Sequence, residues 1–184
     1  MRKLIAWNVM TLDGYFEGRD PWQLDMHGTV WGEELEAFSL GQGGEIGTLL
    51  FGRRTYEGMR DYWTKEQGPI ANMMNGVEKA VASRSLEVAD WTNSRLLKGE
   101  AAETVRALKQ ESGRDVFVFG SAELLATLLA EDLVDEYRLC LAPVVWGEGT
   151  PLFKPAGGRT HFALRESRPL RTGGLILFYE RKAM

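Results

Sequence analysis

The sequence predicts an α/β fold built on a mostly parallel central sheet with an antiparallel end. Several short segments, such as KLIAWNVM and IGTLLFG, are apolar almost throughout, which is typical of strands buried on both faces. Strand and helix patterns alternate as far as residue 133, as parallel sheets require, and strand patterns then follow one another. No repeat, low-complexity tract or linker interrupts the chain, so residues 1–184 are interpreted as a single domain.

The first half begins with a strand and a long polar segment. Residues 3–10 are the first predicted strand. Residues 11–32 are rich in Trp, Gly and Pro and are interpreted as a loop, and loops of this length are often functional. The elements that follow are a helix at 33–40, a strand at 46–52, a helix at 53–63, and a strand at 76–85 that ends in a polar turn.

The second half ends in consecutive strands. A short strand is predicted at 94–99, and an amphipathic helix at 100–112 stops at Gly113. The later elements are a strand at 115–120, a helix at 121–133, a strand at 134–145, and two strands at 160–170 and 174–182. The last two flank RTGG, which favours an antiparallel hairpin.

Composition and charge exclude several classes of protein. The chain is 44% hydrophobic and 26% charged, as is ordinary for a globular protein. A net charge of -4 without a Lys/Arg-rich block predicts no nucleic-acid partner. One cysteine, Cys140, rules out an internal disulfide and a cysteine-based zinc site, and the two histidines lack ligand spacing, so no metal is expected. No apolar run approaches the roughly 20 residues of a membrane span, and a cytoplasmic protein without membrane partners is expected.

Two segments, LLFGRRTYEG and VFVFGSAELL, share the form strand, glycine, polar residue, helix. A helix N-terminus exposes unpaired N–H groups and the positive end of the helix dipole, and glycine lets the backbone approach a ligand closely. One such turn could be structural, with Ser121 capping its helix and Glu123 satisfying the dipole. Two in one sheet favour a dinucleotide, because ligands of open α/β sheets lie beyond the carboxyl ends of the strands.

Basic side chains accompany these turns. Arg53 and Arg54 stand beside Thr55, and guanidinium groups bind phosphate in a bidentate manner, although a solvated basic face is the alternative. Ser83, Arg84 and Ser85, in VASRSLE, form a hydroxyl–guanidinium–hydroxyl cluster that suits the extra 2′-phosphate that distinguishes NADP from NAD, although Ser and Arg are also common in turns. Neither G-x-G-x-x-G nor G-x-x-x-x-G-K-[ST] is present, which argues against a Rossmann domain and a P-loop ATPase.

These two segments, with MRKLIAWNVMTLDGYFEG and DEYRLCLAPVVWGEGTPLF, occur in the order and spacing of a known family. The chain resembles the dihydrofolate-reductase-like fold, and most of all the reductase (C-terminal) domain of the bacterial riboflavin-biosynthesis deaminase–reductase, over nearly its whole length. The resemblance implies a three-layer α/β fold, NADPH as cofactor, a small-molecule substrate and a homodimer. The implied reaction resembles that of 5-amino-6-(5-phosphoribosylamino)uracil reductase. Neither a preceding deaminase domain nor a zinc motif is present, so the bifunctional enzyme is not expected.

The resemblance assigns residues of this chain to three sets of contacts. Those implied to hold the NADPH phosphates come from the two turns and are Gly52, Arg53, Arg54, Thr55, Gly120, Ser121, Ala122 and Glu123. Those implied to meet the adenosine 2′-phosphate are Ser83 and Arg84. Those implied to line the nicotinamide and substrate pocket are Asn8, Thr11, Leu12, Asp13 and Gly14.

Asp13 is the candidate catalytic residue. A C=N bond or a carbonyl accepts hydride more readily when its heteroatom is protonated or hydrogen-bonded, which requires a donor or a carboxyl of raised pKa in a dry pocket. Asp13 follows a buried strand, and Gly14 and the Trp-rich loop could close over it; the alternative is an Asx-turn that ends the strand. Asp25 and His27 are further candidates in the same loop, with solvated positions as the alternative.

Three functions remain open from the sequence. The first is an NADPH-dependent reductase of a small heterocyclic or carbonyl substrate. The second is a non-catalytic module that binds a nucleotide or a planar ligand on the same fold. The third is dihydrofolate reductase, in which an acidic residue on the first helix pairs with the pterin ring. PWQLD resembles the loop before that helix, and Glu33 and Glu34 open the helix at 33–40.

Overall fold

A computed structural model describes residues 1–154 and 159–182, which form an α/β fold around one large sheet. Its strands are β1 (Leu4–Thr11), β2 (Tyr15–Glu17), β3 (Ile46–Gly52), β4 (Glu78–Ala82), β5 (Ser94–Leu97), β6 (Asp115–Phe119), β7 (Glu136–Ala142), β8 (Thr150–Pro151), β9 (Phe162–Pro169) and β10 (Leu175–Arg181). Its helices are α1 (Met26–Val30), α2 (Glu33–Gly43), α3 (Arg53–Trp63), α4 (Pro69–Gly76), α5 (Ala101–Gln110) and α6 (Ala122–Ala130).

The eight-stranded sheet has the order β5-β4-β3-β6-β1-β7-β10-β9. Every pair from β5 to β7 is parallel, whereas β10 runs antiparallel to both β7 and β9. The predicted mostly parallel sheet with an antiparallel C-terminal hairpin is therefore confirmed. In the register, Trp7 pairs with Phe119 and Gly52 pairs with Ala82, so β1, β3, β4 and β6 end at the same edge of the sheet.

Apolar cores on the two faces of the sheet make the fold three-layered, as the resemblance implied. One core contains Leu35, Tyr56 and Met74, contributed by α2, α3 and α4. The other contains Val105 and Leu128, contributed by α5 and α6. Alternate residues of β1 point into the two cores, which is why this strand is apolar almost throughout. Within the part of the chain that the structure describes, no helix combines the length and the apolar character needed to cross a membrane.

The segment expected to be a long loop is partly ordered into short elements. Residues 11–32 contain β2, which pairs with β8 in a separate ribbon, and the five-residue helix α1. Helix α4 was not predicted, although Pro69 at its start is a readable signal. Such short elements are marginal on their own and depend on tertiary contacts, which local sequence patterns do not reveal.

Lys79 of β4 is fully buried, which is rare for a lysine. Its ammonium donates hydrogen bonds to the carbonyls of Asn75 (2.7 Å) and Thr92 (2.8 Å) and lies 4.4 Å from the centre of the Trp91 ring. Burial lowers the pKa of Lys79 to about 8. The amine therefore loses its proton earlier in the folded protein than in the unfolded chain.

We expect Lys79 to contribute more stability as the pH rises from about 8 to about 10.5, because its amine binds more protons in the unfolded chain than in the folded protein in that window. The gain should be about 1–3 kcal/mol, since the carbonyls and the indole partly support the charged form. Urea unfolding at both pH values should show the free energy of unfolding of the wild type rising by this amount relative to that of Lys79→Met. Burial raises the pKa of Cys140 and so opposes the gain, but it does so equally in both proteins. Lys65→Met, at an exposed lysine, is the matched control. Equal pH dependence of all three proteins would contradict the shifted pKa.

Candidate functional site

A cleft of about 450 Å³ lies where the carboxyl ends of β1, β3 and β6 meet. Most of the described residues that line it fall into two groups. The cationic half consists of the residues at the ends of β3, β4 and β6 and their neighbours: Gly52, Arg53, Arg54, Thr55, Arg84, Gly120, Ser121, Ala122, Glu123 and Lys154. The aromatic half is formed by β1, the 15–30 segment, the second turn of α3 and the last residue of β6: Trp7, Val9, Phe16, Glu17, Trp22, Leu24, His27, Met59 and Phe119.

The two glycine turns are hydrogen-bonded to each other. Because β3 and β6 are neighbours, their turns lie side by side, and Ser121 joins them. The Gly52 N–H donates to the Ser121 hydroxyl (3.0 Å), which donates to the Thr55 hydroxyl (2.8 Å). Ser121 has a left-handed φ of 62°, an uncommon conformation for a residue other than glycine, and its side chain does not cap α6. Its hydroxyl therefore bridges the turns and does not have the capping role that the sequence left open.

Helices α3 and α6 both direct their N-termini at the cleft. At both helices, within the described part of the chain, the residue before the first turn provides no side-chain cap. Their first N–H groups and the positive ends of their dipoles are thus available to an anion. Glu123, in the first turn of α6, forms an ion pair with Lys154, so its carboxylate is shared between the dipole and a cation.

Three arginines line the cationic half. Arg53 and Arg54 open α3, and Arg84 follows β4 with a side chain that is 81% exposed and 3.6 Å from Glu100. Ser83 lies outside the lining of the cleft. Its hydroxyl accepts the backbone N–H groups of Leu86 (3.0 Å) and Ser85 (3.3 Å), and so shapes the turn that presents Arg84.

Asn8 carries a buried polar group without a partner. Its carbonyl oxygen accepts the Gly120 N–H (2.8 Å), which fixes the orientation of the amide. Its Nδ2 has no hydrogen-bond partner among the described residues, although the residue is only 5% exposed. Because buried donors are normally satisfied, this amide, which lines the cleft, is suited to a ligand that carries an acceptor.

The Trp22 indole lies directly against Gly58 of α3. A Cβ atom at position 58 would be 1.7 Å from the indole, so only glycine leaves room for this contact. The Trp22 backbone has a φ of 67°, and its N–H donates to the Glu17 carboxylate (2.8 Å). Sequence reasoning noted the tryptophans of this loop but missed Gly58, whose role depends on a contact between distant segments.

His27 of α1 also lines the aromatic half. The residue is exposed, but desolvation by the surrounding protein atoms lowers its pKa to about 4. The ring is therefore neutral at pH 7 and carries one N–H donor and one acceptor. Asp25, the other loop candidate, is exposed and lies outside the cleft lining.

The structure corrects the expected properties of Asp13. Its carboxylate is exposed, and the Thr11 hydroxyl (2.6 Å) and the N–H groups of Gly147 (2.7 Å) and Trp146 (3.2 Å) donate to it. Chiefly through the Thr11 hydroxyl, these bonds lower its pKa, whereas the sequence argument required a buried carboxyl of raised pKa. The hydrogen bonds of Asp13 instead connect the end of β1 to the loop before β8.

Thr11, Leu12 and Gly14 also lie outside the lining of the cleft. The Thr11 hydroxyl accepts the Tyr15 N–H (2.9 Å), and Leu12 is 59% exposed. Gly14 has a φ of 90°, and its carbonyl accepts the Leu152 N–H (2.9 Å). These residues anchor the β2–β8 ribbon, which brings Phe16, Glu17 and Thr150 to the cleft.

Ser121→Ala is expected to lower the free energy of unfolding by about 1–2 kcal/mol, because it leaves the Gly52 N–H without its acceptor. Ser121→Gly loses the same bridge but relieves the left-handed φ, so it should be the more stable of the two variants. Thr104→Ala, which removes a hydroxyl from α5 outside the cleft, is the control. Urea denaturation measures all three. Wild-type stability of Ser121→Ala would contradict the bridge.

Comparison with known proteins identifies relatives over nearly the whole chain. The family model described as the RibD C-terminal domain matches residues 2–176. The uncharacterized protein YyaP of Bacillus subtilis (strain 168) is 28% identical in an alignment 189 positions long that covers 97% of this chain and 94% of that protein.

Solved structures share the fold at low sequence identity. A putative riboflavin biosynthesis protein from Shewanella sp. PV-4 superposes with a TM-score of 0.80 at 20% identity, covering 98% of this chain and 99% of that one. Dihydrofolate reductase from Enterococcus faecalis, in complex with NADP(H), gives a TM-score of 0.65 at 16% identity, covering 98% and 97%. The match to the family model spans far more than half of the sequence, and the chain belongs to the RibD C-terminal domain family.

Proposed function

We propose that this protein is an NADPH-dependent reductase that transfers a hydride to a small heterocyclic or carbonyl substrate. One observation carries the proposal: two uncapped helix N-termini, joined by the Ser121 bridge, face one cleft that is also lined by Arg53, Arg54 and Arg84. Backbone N–H groups, helix dipoles and guanidinium groups are the chemistry that binds a pyrophosphate and a further phosphate. Membership of the family and the dinucleotide-bound structural relative support it.

The residues of the cationic half fit this cofactor. We assign the pyrophosphate to the two turns, namely Gly52, Arg53, Arg54, Thr55, Gly120, Ser121, Ala122 and Glu123. Arg84 would meet the 2′-phosphate, with Ser83 holding its turn. Asn8 would donate its free Nδ2–H to an acceptor of the ligand. A nicotinamide bound in this cleft supplies hydride chemistry, and the protein supplies position and electrostatics.

The aromatic half would receive the substrate. Trp7, Trp22 and Phe119 offer flat surfaces for a planar ring and exclude water from it. The neutral His27 can donate one N–H to the heteroatom of a polarised bond. We therefore assign the donor role to His27 and assign Asp13, whose lowered pKa leaves it unprotonated at neutral pH, to anchoring the ribbon.

Titration of the purified protein with NADPH and with NADH, followed by tryptophan fluorescence, tests the proposal. Trp7 and Trp22 line the cleft and should report occupancy. Saturable NADPH binding, with NADH at least about tenfold weaker, is expected for a site that binds the 2′-phosphate. Absence of saturation by either dinucleotide at about millimolar concentration would overturn the proposed function.

The main alternative is a binding module without turnover. The two carboxyl groups among the described cleft residues, Glu17 and Glu123, already bind the Trp22 N–H and Lys154, which favours this alternative over a strongly acid-catalysed reaction. Saturable NADPH binding without NADPH oxidation across a broad panel of carbonyl and heterocyclic compounds would support it.

Dihydrofolate reductase is the third candidate and is the least supported by the site. Glu33 and Glu34 lie outside the cleft lining, and the Glu34 carboxylate binds the backbone and side chain of Arg171. The first helix, α1, presents His27 to the cleft instead of a carboxylate. Addition of dihydrofolate with NADPH should therefore give no turnover, and rapid turnover would restore this candidate.

We also propose a homodimer, as the family resemblance implies. The outermost strand β9 leaves one edge of the large sheet unpaired in the described chain, and an open edge can pair with another copy. Light scattering should give about twice the monomer mass of 20.7 kDa. A monomer at all concentrations would remove the proposal.

A further inference from the structure

The charges around the cleft are divided unevenly between its halves. Lys154 and the three arginines that line the cleft all belong to the cationic half. Of the described residues that line the aromatic half, none carries a positive charge at neutral pH, and Glu17 contributes a carboxylate. Residues 155–158 and 183–184 contain no lysine, arginine or histidine, so the rest of the chain adds no cation.

Cations on the elements that carry the aromatic half are already paired. Arg19, in the loop that carries Trp22, forms an ion pair with Glu148 (2.5 Å). Arg60, one residue beyond Met59 on α3, binds Asp61 (2.8 Å) and Asp90 (2.7 Å). Neither lines the cleft. A phosphate in the aromatic half would therefore face Glu17 without a free guanidinium or ammonium group.

The remaining surfaces of the aromatic half are flat and apolar. Trp7 packs on Phe38 with ring centres 5.1 Å apart, and Gly58 holds Trp22 against α3. His27 adds a ring that is uncharged at pH 7 and can donate or accept one hydrogen bond. Indole faces favour planar rings, and desolvating an unpaired anion beside a carboxylate is unfavourable.

We propose that the aromatic half selects a flat, uncharged ring compound that bears no phosphate. This rests on the proposed function, because it assigns the cationic half to the cofactor. It departs from a phosphoribosylated pyrimidine, the substrate that the family resemblance implied. Glu17 and His27 would form hydrogen bonds with the polar edge of the ring, and Trp7 and Trp22 would pack against its faces.

Matched pairs of compounds, of which only one member carries a phosphate, test the proposal. The pairs are riboflavin with flavin mononucleotide, and 4-methoxybenzaldehyde with 4-formylphenyl phosphate. Binding is measured by equilibrium dialysis at saturating NADP⁺, after saturation by the dinucleotide alone has been established. The uncharged member of at least one pair should bind below about 1 mM and at least about tenfold more tightly than its phosphorylated partner.

A gain-of-charge variant gives a second readout. His27→Arg places a cation in the aromatic half and should reduce or reverse the preference for the uncharged member of each pair. His161→Arg, at an exposed histidine outside the cleft, should leave that preference unchanged. Equal or tighter binding of the phosphorylated members to wild-type protein would overturn the inference. So would a lack of saturable binding by either uncharged compound. Failure of the dinucleotide itself to bind would instead overturn the proposed function.

Discussion

Arg84→Gln is expected to raise the dissociation constant for NADPH by about 10- to 100-fold and to leave that for NADH within about threefold. The Arg84 side chain is 81% exposed and 3.6 Å from Glu100, so it is free to turn toward a ligand in the cleft that it lines. A charge-assisted bond to phosphate contributes about 1.5–3 kcal/mol, which is the origin of the expected factor. NADH lacks the 2′-phosphate, so its dissociation constant should change little. Tryptophan fluorescence titration of the variant with each dinucleotide measures both constants.

Arg106→Gln is the matched control, because Arg106 lies on α5, pairs with Glu131 and does not line the cleft. It should bind both dinucleotides as the wild type does. If Arg84→Gln weakened NADPH and NADH equally, Arg84 would contact a group common to both, such as the pyrophosphate. If it weakened the binding of neither dinucleotide, Arg53 or Arg54 would be the residue that distinguishes NADPH from NADH. Substitution of each of these arginines by glutamine would then show which of the two binds the 2′-phosphate.

The cationic half could be predicted from the sequence because its signals are local. A strand, a glycine and a helix start are contiguous in LLFGRRTYEG and VFVFGSAELL, and the parallel sheet brings both turns to one edge. The sequence could not reveal that Ser121 bonds to Gly52 and Thr55. That bridge depends on the adjacency of β3 and β6, which are separated by more than 60 residues of chain.

The aromatic half was harder to predict because its members come from separate segments. The position of Trp22 depends on Gly58 of α3, a contact between distant segments that no local pattern encodes. The Asp13 hypothesis assumed that Gly14 and the Trp-rich loop close over a residue that follows a buried strand. The structure continues β1 to Thr11 and then turns outward, so the carboxylate meets backbone N–H groups instead of a dry pocket.

Arg138→Met is expected to lower the free energy of unfolding by about 3–5 kcal/mol, because it leaves the Glu136 carboxylate buried beside an apolar side chain. The Arg138 guanidinium, only 7% exposed, donates to Glu136 (2.6 Å), Glu45 (2.7 Å) and Gln42 (3.1 Å). Among the described residues, Lys3, 3.7 Å from Glu136, is the one cation that still pairs with that carboxylate once Arg138 is removed. Urea denaturation at pH 7 measures the loss.

The double variant Arg138→Met/Glu136→Leu distinguishes the loss of the ion pair from the cost of leaving the Glu136 carboxylate buried and unpaired. Replacing both members of a buried pair by apolar groups is often close to neutral, so the double variant should recover at least half of the loss. Arg138 also lowers the pKa of Glu45, which contributes stability above the unfolded pKa of a glutamate and loses it as the pH falls. The single variant should therefore lose less stability on acidification than the wild type. Equal losses for the single and double variants would show that packing of the guanidinium against Phe117 and Phe178, and not the buried charge, dominates at this position.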